Sequence, residues 1–444
     1  MRIPKISGFD QDALEKYVKN TGWLMIARVG SLAVKMLLNI ALANYLLKVK
    51  LGILNYPMTI ATFFIAMAAL GLDGFVTREL LRDPEKEHKL LGTAFLLKLA
   101  GGLLILPFVY LTYIALNHFS PASAPFYYVL IVSLTGIFQS FNIIDSYFQS
   151  KTQGKFIMRV QIVANLVSAA IKGLLILLHS NLTWFIFALL FDAALLAFGY
   201  FYMYKQNGGN IFKWTFDGKL AKYLLTNSWP LALSAILVTV YMRIDQLMIT
   251  QYLGEGPLGV YTNPVQWTES CYFIPVAIVT SVFPAIMNAR RDDPERYRRR
   301  MQNMYDLMVW ISLSLAIFVT FAAPFIFELY DPVYAEGAHV LSILIWASIF
   351  AFLGTASGQF LIAEGYTKLT MTRTAAGAVV NVVLNIFWIP KYGIEGAAFA
   401  TLIAFATSTF WILLIPKTRD QGIMMLKSLF LITLFRKLKR NHIT

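Results

Sequence analysis

Two ionisable residues, Arg243 and Asp245, lie inside an apolar run that is long enough to cross a membrane. The run falls within Leu231–Pro264, and about twenty apolar residues in a helix span the roughly 30 Å hydrocarbon core of a bilayer. An ionised side chain at that depth costs roughly 2.5–3.5 kcal/mol on insertion scales, so it is usually kept for a function. Residues two apart on a helix do not face each other. Arg243 and Asp245 are therefore predicted to contact separate partners, either on other helices or in a polar cavity.

Four more basic residues lie inside predicted spans, namely Arg28, Lys35, Lys98 and Lys172. Arg28 and Lys35 are seven residues apart and share a helix face, which Asn39 continues one turn further along. With Arg243, these cations come from odd-numbered spans in both halves of the chain, which is typical of one shared cleft. Guanidinium and ammonium groups bind phosphate oxygens, so we expect a bulky, anionic, amphipathic substrate such as a lipid pyrophosphate. As an alternative, Lys98 lies near a span end, where its ammonium could extend to the interface.

The acidic residues within spans are Asp192, Asp245 and Glu269, with Asp145 closer to a span end. One hypothesis is that each forms an ion pair that holds helices together. The other is ion coupling, because a buried carboxylate can take up and release a proton or a cation as access alternates between the two sides of the membrane. We predict the coupling role for all four.

Several other kinds of chemistry are excluded by the sequence. It has no nucleotide-binding loop, no cluster of metal-ligand residues and no Ser/His/Asp arrangement, and its five histidines are scattered in or next to loops. The single cysteine, Cys271, excludes an internal disulfide and any cysteine-based metal site. We therefore expect neither an enzyme nor a cofactor, and a proton or sodium gradient is the predicted energy source.

The composition is that of a polytopic all-α membrane protein, with 58% hydrophobic residues, 14% charged residues and a mean hydropathy of +0.61. A transmembrane barrel would show short alternating segments instead of long apolar runs. Twelve helices are predicted, roughly at Thr21–Leu47, Ile53–Leu72, Lys89–Leu116, Phe126–Phe148, Val160–His179, Trp184–Tyr204, Leu224–Tyr252, Tyr261–Ala289, Tyr305–Phe327, Ala338–Ala363, Ala375–Pro390 and Gly396–Ile415.

The basic residues between the spans predict the orientation. Of the 38 Lys and Arg residues, 30 fall in one set of segments, which includes both termini and the Lys368–Arg373 loop, and three fall on the opposite side. Basic residues collect on the cytoplasmic side, so both termini are predicted to be cytoplasmic. This distribution also explains the net charge of +14 without nucleic acid as a partner.

The two halves of the chain resemble each other. The segment YLLKVKLGILNYP from Tyr45 aligns with YLGEGPLGVYTNP from Tyr252, and each lies where an outward helix turns into the next. Equal topology in the halves predicts a parallel repeat about an axis along the membrane normal, with two six-helix bundles around a central cavity.

The predicted domain organisation has four parts. Residues 1–204 form the N-terminal bundle, preceded by a short interfacial helix over Asp10–Asn20, and residues 205–223 form a cytoplasmic linker. Residues 224–415 form the C-terminal bundle. Residues 416–444 form a basic amphipathic tail, whose apolar stretch Ile423–Phe435 is too short to span a bilayer and is expected in the interface.

Several motifs, in order along essentially the whole chain, resemble those of bacterial polysaccharide flippases of the Wzx type. They are ALGLDGFVTREL from Ala69, Arg243-Ile244-Asp245-Gln246, Tyr252-Leu253-Gly254, Gly259-Val260-Tyr261, Glu269 before FIPVAIVTSVFPAI from Phe273, and Asn381 and Asn385 before IPKYGIEGAAFATLI from Ile389.

The resemblance implies membership of the multidrug/oligosaccharidyl-lipid/polysaccharide exporter superfamily, with two six-helix bundles in a V. It also implies flipping of undecaprenyl-pyrophosphate-linked oligosaccharide, including O-antigen precursors, to the outer leaflet of the bacterial cytoplasmic (inner) membrane. Polysaccharide assembly machinery is the implied protein partner. The expected substrate-binding residues are Arg28, Lys35, Asn39, Lys98, Lys172, Arg243 and Asn381, and the expected ion-coupling residues are Asp145, Asp192, Asp245 and Glu269.

Three alternatives stay open. A peptidoglycan-precursor flippase usually has fourteen helices, whereas twelve are predicted here. A multidrug exporter for organic cations would need a net acidic cavity, but the buried charges are mostly basic. A membrane polymerase or ligase would need a sizeable outer domain, and the longest predicted outer segments, near His118–Pro125 and Glu328–Gly337, have about ten residues.

Overall fold

The computed structural model describes residues 11–119 and 124–432, with side chains described from residue 29 onward except at 119, 284, 289–292 and 367. Within this part of the chain, ten helical segments are long and apolar enough to cross a membrane, and no residue is in a strand. The predicted fold class, an all-α polytopic membrane protein, is confirmed. The exact count of twelve spans stays a prediction.

The chain divides into two compact units. Unit 1 contains the chain up to Leu46 and Ile53–Ile236, and unit 2 contains Leu47–Gly52 and the chain from Leu237 onward. The α-helices of unit 1 are α1 (Gln11–Ala68), α2 (Leu72–Arg82), α3 (Glu87–Phe119), α4 (Phe126–Ser133), α5 (Thr135–Phe138), α6 (Ile143–Ser150), α7 (Gly154–Leu177), α8 (Leu182–Gln206) and the first part of α9 (Gly218–Leu253). Short 3₁₀ helices lie at Pro84–Lys86, Gln139–Asn142 and Ile211–Lys213.

Unit 2 contains the second part of α9 and the helices that follow it. They are α10 (Glu255–Ser270), α11 (Phe273–Asp292), α12 (Pro294–Phe327), α13 (Glu336–Ala363), α14 (Thr367–Phe410) and α15 (Arg419–Leu429), with 3₁₀ helices at Pro332–Tyr334 and Trp411–Leu414.

Two long helices are kinked where two spans were predicted. Helix α1 contains the first two predicted spans and bends at Leu47, whose φ of 59° lies in the left-handed region. Helix α14 contains the last two and bends at Gly393, whose φ of 59° and ψ of −143° suit a residue without a Cβ. The predicted interfacial helix is continuous with the first span, because α1 already begins at Gln11.

Two other predicted spans are interrupted. The span predicted at Phe126–Phe148 consists of α4, α5, a 3₁₀ helix and α6, and the span at Tyr261–Ala289 is divided between α10 and α11. Hydropathy predicts that both segments are apolar. It does not predict the breaks within them, because these depend on local backbone geometry.

Each unit has its own apolar core. In unit 1, Phe75, Leu91, Ile143 and Tyr204 of α2, α3, α6 and α8 pack together and are almost wholly buried. In unit 2 the core joins α12, α13 and α15, with Tyr305, Phe352, Leu353 and Met425 at less than 1% exposure. The predicted amphipathic tail thus begins with a helix docked in unit 2. Residues 433–444, which include the end of the predicted apolar stretch, lie outside the described residues.

The predicted linker is held against unit 1 by hydrogen bonds. The Trp214 indole N–H donates to the Tyr204 hydroxyl at 3.1 Å, and the Thr215 N–H donates to the His88 carbonyl at 3.4 Å. The chain can approach α3 this closely because Gly92 has no side chain, and a Cβ there would lie 2.7 Å from Thr215 N. Asp217 then caps α9 by accepting from the N–H groups of Lys219 and Leu220.

The two repeated motifs touch each other within unit 2. A Cβ on Gly52 would lie 1.8 Å from the Glu255 carbonyl oxygen, and one on Gly259 would lie 1.9 Å from that of Lys48. Gly52 aligns with Gly259 and Lys48 with Glu255 in the predicted repeat, so the two contacts are reciprocal. This backbone contact explains why glycine occupies both positions. Symmetry of the whole chain stays a prediction.

Candidate functional site

A partly open pocket lies in unit 2 between α9, α10, α13 and α14, with about 330 Å³ of empty space that includes its open side. Its lining is formed by Tyr241, Met242, Asp245, Tyr261, Val265, Thr268, Glu269, Tyr272, Leu344, Thr401 and Phe405. Two of the predicted coupling residues, Asp245 and Glu269, therefore share one cavity. The remaining lining is mostly aromatic and aliphatic, so these polar groups lie in a low-dielectric environment.

Asp245 is 4% exposed and is held by hydrogen bonds from hydroxyl groups. Its Oδ2 accepts from the Tyr261 hydroxyl at 2.6 Å and from the Thr401 hydroxyl at 3.3 Å, while Oδ1 accepts from the Gln246 N–H at 2.7 Å. In the part of the chain that the structure describes, no basic side chain lies within 4.0 Å of this carboxylate. All the direct hydrogen bonds to Asp245 therefore come from neutral donors, and the Arg243 cation acts on it only from beyond ion-pair distance.

Two asparagines of α14 extend this cluster. Asn381 donates to the Thr401 hydroxyl at 3.2 Å and accepts from the Asn385 amide at 3.0 Å, and both asparagines are fully buried. The Asn385 Oδ1 atom has no hydrogen-bond partner within the described residues. Because a buried polar atom without a partner is costly, this oxygen is a natural acceptor for a cation or a proton.

Hydrogen bonds connect the Asp245 carboxylate to the hydroxyls of Tyr261 and Thr401, and Thr401 in turn to Asn381 and Asn385, so the cluster is a chain of oxygen-bearing side chains. Hard cations prefer such ligands, and a buried carboxylate can instead be neutralised by a proton. Asn381, which was predicted to bind substrate, belongs to this buried cluster. Both substrate binding and ion binding by Asn381 stay predictions.

Arg243 points away from Asp245 and pairs with Glu269. The Arg243 guanidinium donates to Glu269 Oε2 at 2.8 Å, and both side chains are about a quarter exposed. The prediction that Arg243 and Asp245 contact separate partners is confirmed. A predicted substrate-binding residue and a predicted coupling residue thus form one ion pair beside the pocket.

Both buried lysines of unit 1 form ion pairs as well. Lys172, with a side chain 11% exposed, donates to Asp192 Oδ2 at 2.5 Å. Lys98, 3% exposed, donates to Asp73 Oδ1 at 2.5 Å and does not extend to the surface. Asp145 accepts from Gln149 and lies within electrostatic reach of Asp73 and Lys98.

The remaining predicted residues lie on α1. Lys35 is exposed and Asn39 is partly buried, and each has an interaction partner. The backbone of Arg28 is helical, but its side chain lies outside the described residues. The substrate-binding roles of Arg28, Lys35, Lys98, Lys172 and Arg243 stay predictions.

Several residues of the site were not singled out from the sequence. Tyr261 and Thr401 lie inside motifs that carry the resemblance, and Asp73 lies in another, but nothing in the sequence links them to their partners. Arg373 was counted as a loop residue, whereas it lies inside α14 and donates to Ser357 and to the Gly354 carbonyl. The apolar residues of this helix begin only after Arg373, so hydropathy does not place Arg373 within a span.

Comparison with known proteins gives matches to glycan-assembly membrane proteins. A family model described as polysaccharide biosynthesis protein matches residues 41–330. A probable low-salt glycan biosynthesis flippase of Haloferax volcanii, Agl15, is 24% identical over 43% of this chain and 41% of its own length. The capsular polysaccharide biosynthesis protein CapF of Staphylococcus aureus is 18% identical over 87% of this chain and 96% of its own length.

Other curated relatives also match over less than half of this chain, and the chain spans 37%, 40% and 50% of the length of three of them. Among solved structures, the lipid II flippase MurJ in an inward closed conformation has a TM-score of 0.71. It is 17% identical, with 93% of this chain and 92% of MurJ covered. At this identity the likeness establishes a shared fold.

Proposed function

The chain belongs to the polysaccharide biosynthesis protein family, and from this membership we propose that it is a flippase of lipid-linked oligosaccharide. In this proposal it moves undecaprenyl-pyrophosphate-linked oligosaccharide from the cytoplasmic to the outer leaflet by alternating access. The sugars and phosphates of such a substrate cannot cross hydrocarbon unaided, so a polar path through the protein is needed. A relative named as a glycan biosynthesis flippase supports this reading over that of an enzyme.

The observation that carries ion coupling is the Asp245 cluster. A buried carboxylate that forms no ion pair, linked through Thr401 and Asn381 to an amide oxygen that has no partner among the described residues, suits reversible binding of sodium or a proton. Ion binding would neutralise Asp245 and draw α9, α10 and α14 together around it. Ion release would leave the carboxylate charged and favour a different packing of these helices, which links the ion to the conformation.

Substrate binding is proposed to act through the Arg243–Glu269 pair. A phosphate group competes with the carboxylate for the guanidinium, because both form charge-assisted hydrogen bonds with its planar fork. When phosphate displaces Glu269, the freed carboxylate becomes available to a proton or cation. Arg243 would thereby connect the lipid pyrophosphate to the coupling ion, and the other ion pairs would act in the same way if substrate reaches them.

The decisive experiment uses purified protein in liposomes with a fluorescent undecaprenyl-pyrophosphate-linked oligosaccharide and a membrane-impermeant quencher. Flipping is measured under an imposed sodium gradient, an imposed proton gradient, and neither. We expect one gradient to accelerate flipping and Asp245→Asn to remove that acceleration. Absence of flipping under every condition, together with gradient-driven export of cationic dyes, would replace this proposal with a multidrug exporter.

The cellular setting is part of the same proposal. The chain is expected in the bacterial inner membrane with both termini in the cytoplasm and with polysaccharide assembly machinery as a partner. Reporter fusions after Thr444 and near Glu255 should show cytoplasmic and external signals, respectively. Swapped signals would reverse the orientation and the direction of transport.

A further inference from the structure

Arg373 lies in the first turns of α14. Its partners are neutral groups, whereas Lys98, Lys172 and Arg243 are each paired with an acid. The Arg373 side chain is partly buried between α13 and α14. Nη1 donates to the Ser357 hydroxyl at 2.7 Å, and Nη2 donates to the Gly354 carbonyl oxygen at 3.0 Å. Both partners are neutral acceptors on α13, so they fix the guanidinium without neutralising it.

The surface of α13 is shaped to receive this group. A Cβ on Gly358 would lie 2.9 Å from Arg373 Nη2, so a larger residue there would displace the guanidinium. A guanidinium has five N–H donors, of which Ser357 and Gly354 use two. The other three have no acceptor within the described residues. The guanidinium is therefore held in one orientation and has three N–H groups left to donate to another acceptor.

The charge of Arg373 also lacks a counter-charge. Lys98, Lys172 and Arg243 each have a carboxylate within 2.8 Å. No carboxylate in the described part of the chain lies within 4.0 Å of Arg373, and the groups within its electrostatic reach are the hydroxyls of Tyr241 and Tyr305. A guanidinium does not lose its proton in proteins. A permanent charge in this environment is costly unless an anion accompanies it.

Arg373 is also adjacent to the pocket. Gly377 lies one turn further along α14 on the same face. A Cβ on Gly377 would lie 3.0 Å from the ring of Tyr241, which lines the pocket together with Asp245 and Glu269. The Tyr241 hydroxyl has no hydrogen-bond partner within the described residues.

We infer that Arg373, held by Ser357 and Gly354, is an anion-binding site for a phosphate group. Three free donors in a planar fork suit the oxygens of a phosphate or pyrophosphate. The choice of a polyprenyl pyrophosphate as its source rests on the proposed function, and a phospholipid headgroup offers the same chemistry. By the distribution of basic residues, this end of α14 is on the cytoplasmic side, where the substrate would enter.

The test measures binding to the full-length purified protein in detergent. Farnesyl pyrophosphate is the probe, farnesol controls for the apolar tail, and phosphatidylglycerol is the competitor that reports a headgroup source. Arg373→Gln removes the charge but keeps a polar amide on a shorter side chain, Arg373→Lys keeps the charge but loses the fork, and Lys391→Gln is a matched loss of an exposed cation on α14. Thermal unfolding of each variant separates binding loss from misfolding.

We expect Arg373→Gln to weaken farnesyl pyrophosphate binding roughly tenfold or more, Arg373→Lys to weaken it less, and Lys391→Gln to have no effect. Competition by phosphatidylglycerol at equal concentration would assign the site to a headgroup, and absence of competition would assign it to the pyrophosphate. Equal binding by wild type and both Arg373 variants would overturn the site, as would losses that match a lowered unfolding temperature.

Flipping assays on the same proteins separate this site from the proposed function. Wild-type flipping by Arg373→Gln with wild-type probe binding would refute the site and leave the flippase proposal intact. Loss of probe binding in Arg373→Gln, with a wild-type protein that flips no lipid-linked oligosaccharide, would leave the site and refute the flippase proposal.

Discussion

The two units treat their buried charges differently. In unit 1, Lys98 and Lys172 each contact a carboxylate at 2.5 Å, and both charges of each pair are neutralised within the unit. In unit 2, Asp245 has no cation and Arg373 has no carboxylate within 4.0 Å among the described residues. Neutral hydroxyls and a carbonyl hold these two charges instead.

Because of this difference, the removal of a buried charge should have different effects in the two units. Breaking a buried ion pair leaves one charge uncompensated and costs roughly 3–5 kcal/mol. Removing a charge whose partners are neutral leaves no opposite charge unpaired, so the fold should tolerate that removal better, while any ligand of the charge is lost. Unit 1 is thus expected to respond to charge removal with lost stability and unit 2 with lost binding or coupling.

The largest expected effect on transport is on coupling at Asp245. Asp245→Asn keeps the side-chain size and a hydrogen-bonding oxygen but removes the negative charge. Gradient-driven flipping should fall roughly 5- to 150-fold, the range of typical coupling free energies, with little change in the unfolding temperature. Asp192→Asn in unit 1 is the isosteric comparison and tests the coupling role predicted for Asp192: if its pair with Lys172 is structural, this variant should lower stability while the response to the gradient persists. Equal loss of gradient response in both variants would erase the distinction between the units.

The next effect concerns the stability of unit 1. Lys172→Ala leaves Asp192 without its cation and should lower the free energy of unfolding by roughly 3–5 kcal/mol, since both side chains are largely buried. Lys172→Ala with Asp192→Ala removes both charges and should recover much of that loss. Unfolding by SDS, followed by tryptophan fluorescence, measures the cycle. A double variant that is folded but inactive would instead favour the predicted substrate-binding role of Lys172.

A smaller effect is expected at Arg243, where unit 2 does have an ion pair. Arg243→Lys keeps the charge but loses the planar fork, and should reduce flipping on the order of tenfold with little effect on folding. Because the acidic partner is Glu269 and not Asp245, the informative double variant is Arg243→Ala with Glu269→Ala. Normal flipping by that variant would make the pair a plain structural salt bridge.

Much of the fold could be predicted from the sequence, because membrane spans have a strong hydropathy signal. The interruption of the eighth predicted span after Ser270 and the kink at Leu47 could not, since local backbone geometry decides them. For the site, the depth of Asp245 and its separation from Arg243 followed from helix geometry.

The partners of these charges were beyond prediction. Thr401 lies 156 residues from Asp245, and only tertiary packing brings them together. The net count of basic and acidic residues suggested a cationic cleft, but pairing cannot be read from a count. Lys98 and Lys172 are paired with acids, whereas Arg373, predicted to lie in a loop, has no carboxylate within 4.0 Å among the described residues.

The smallest effect lies outside the membrane, where the two units should behave alike. Asp217 of unit 1 and Asp293 of unit 2 each cap a helix by accepting from backbone N–H groups. Replacement of either residue by Ala should lower the unfolding temperature by about 2 °C or less, because exposed caps contribute little in a protein of this size.

The hydrogen bond from the Leu220 N–H lowers the pKa of Asp217 below its usual value near 4. The contribution of Asp217 to stability is therefore present above the unfolded-state pKa and is lost as pH falls through the lowered folded-state pKa. Asp217→Ala should thus change stability at pH 7 and have less effect in acid, where the carboxyl is protonated in both states. A large difference between Asp217→Ala and Asp293→Ala in thermal unfolding would mean that the two units differ beyond their membrane-buried charges.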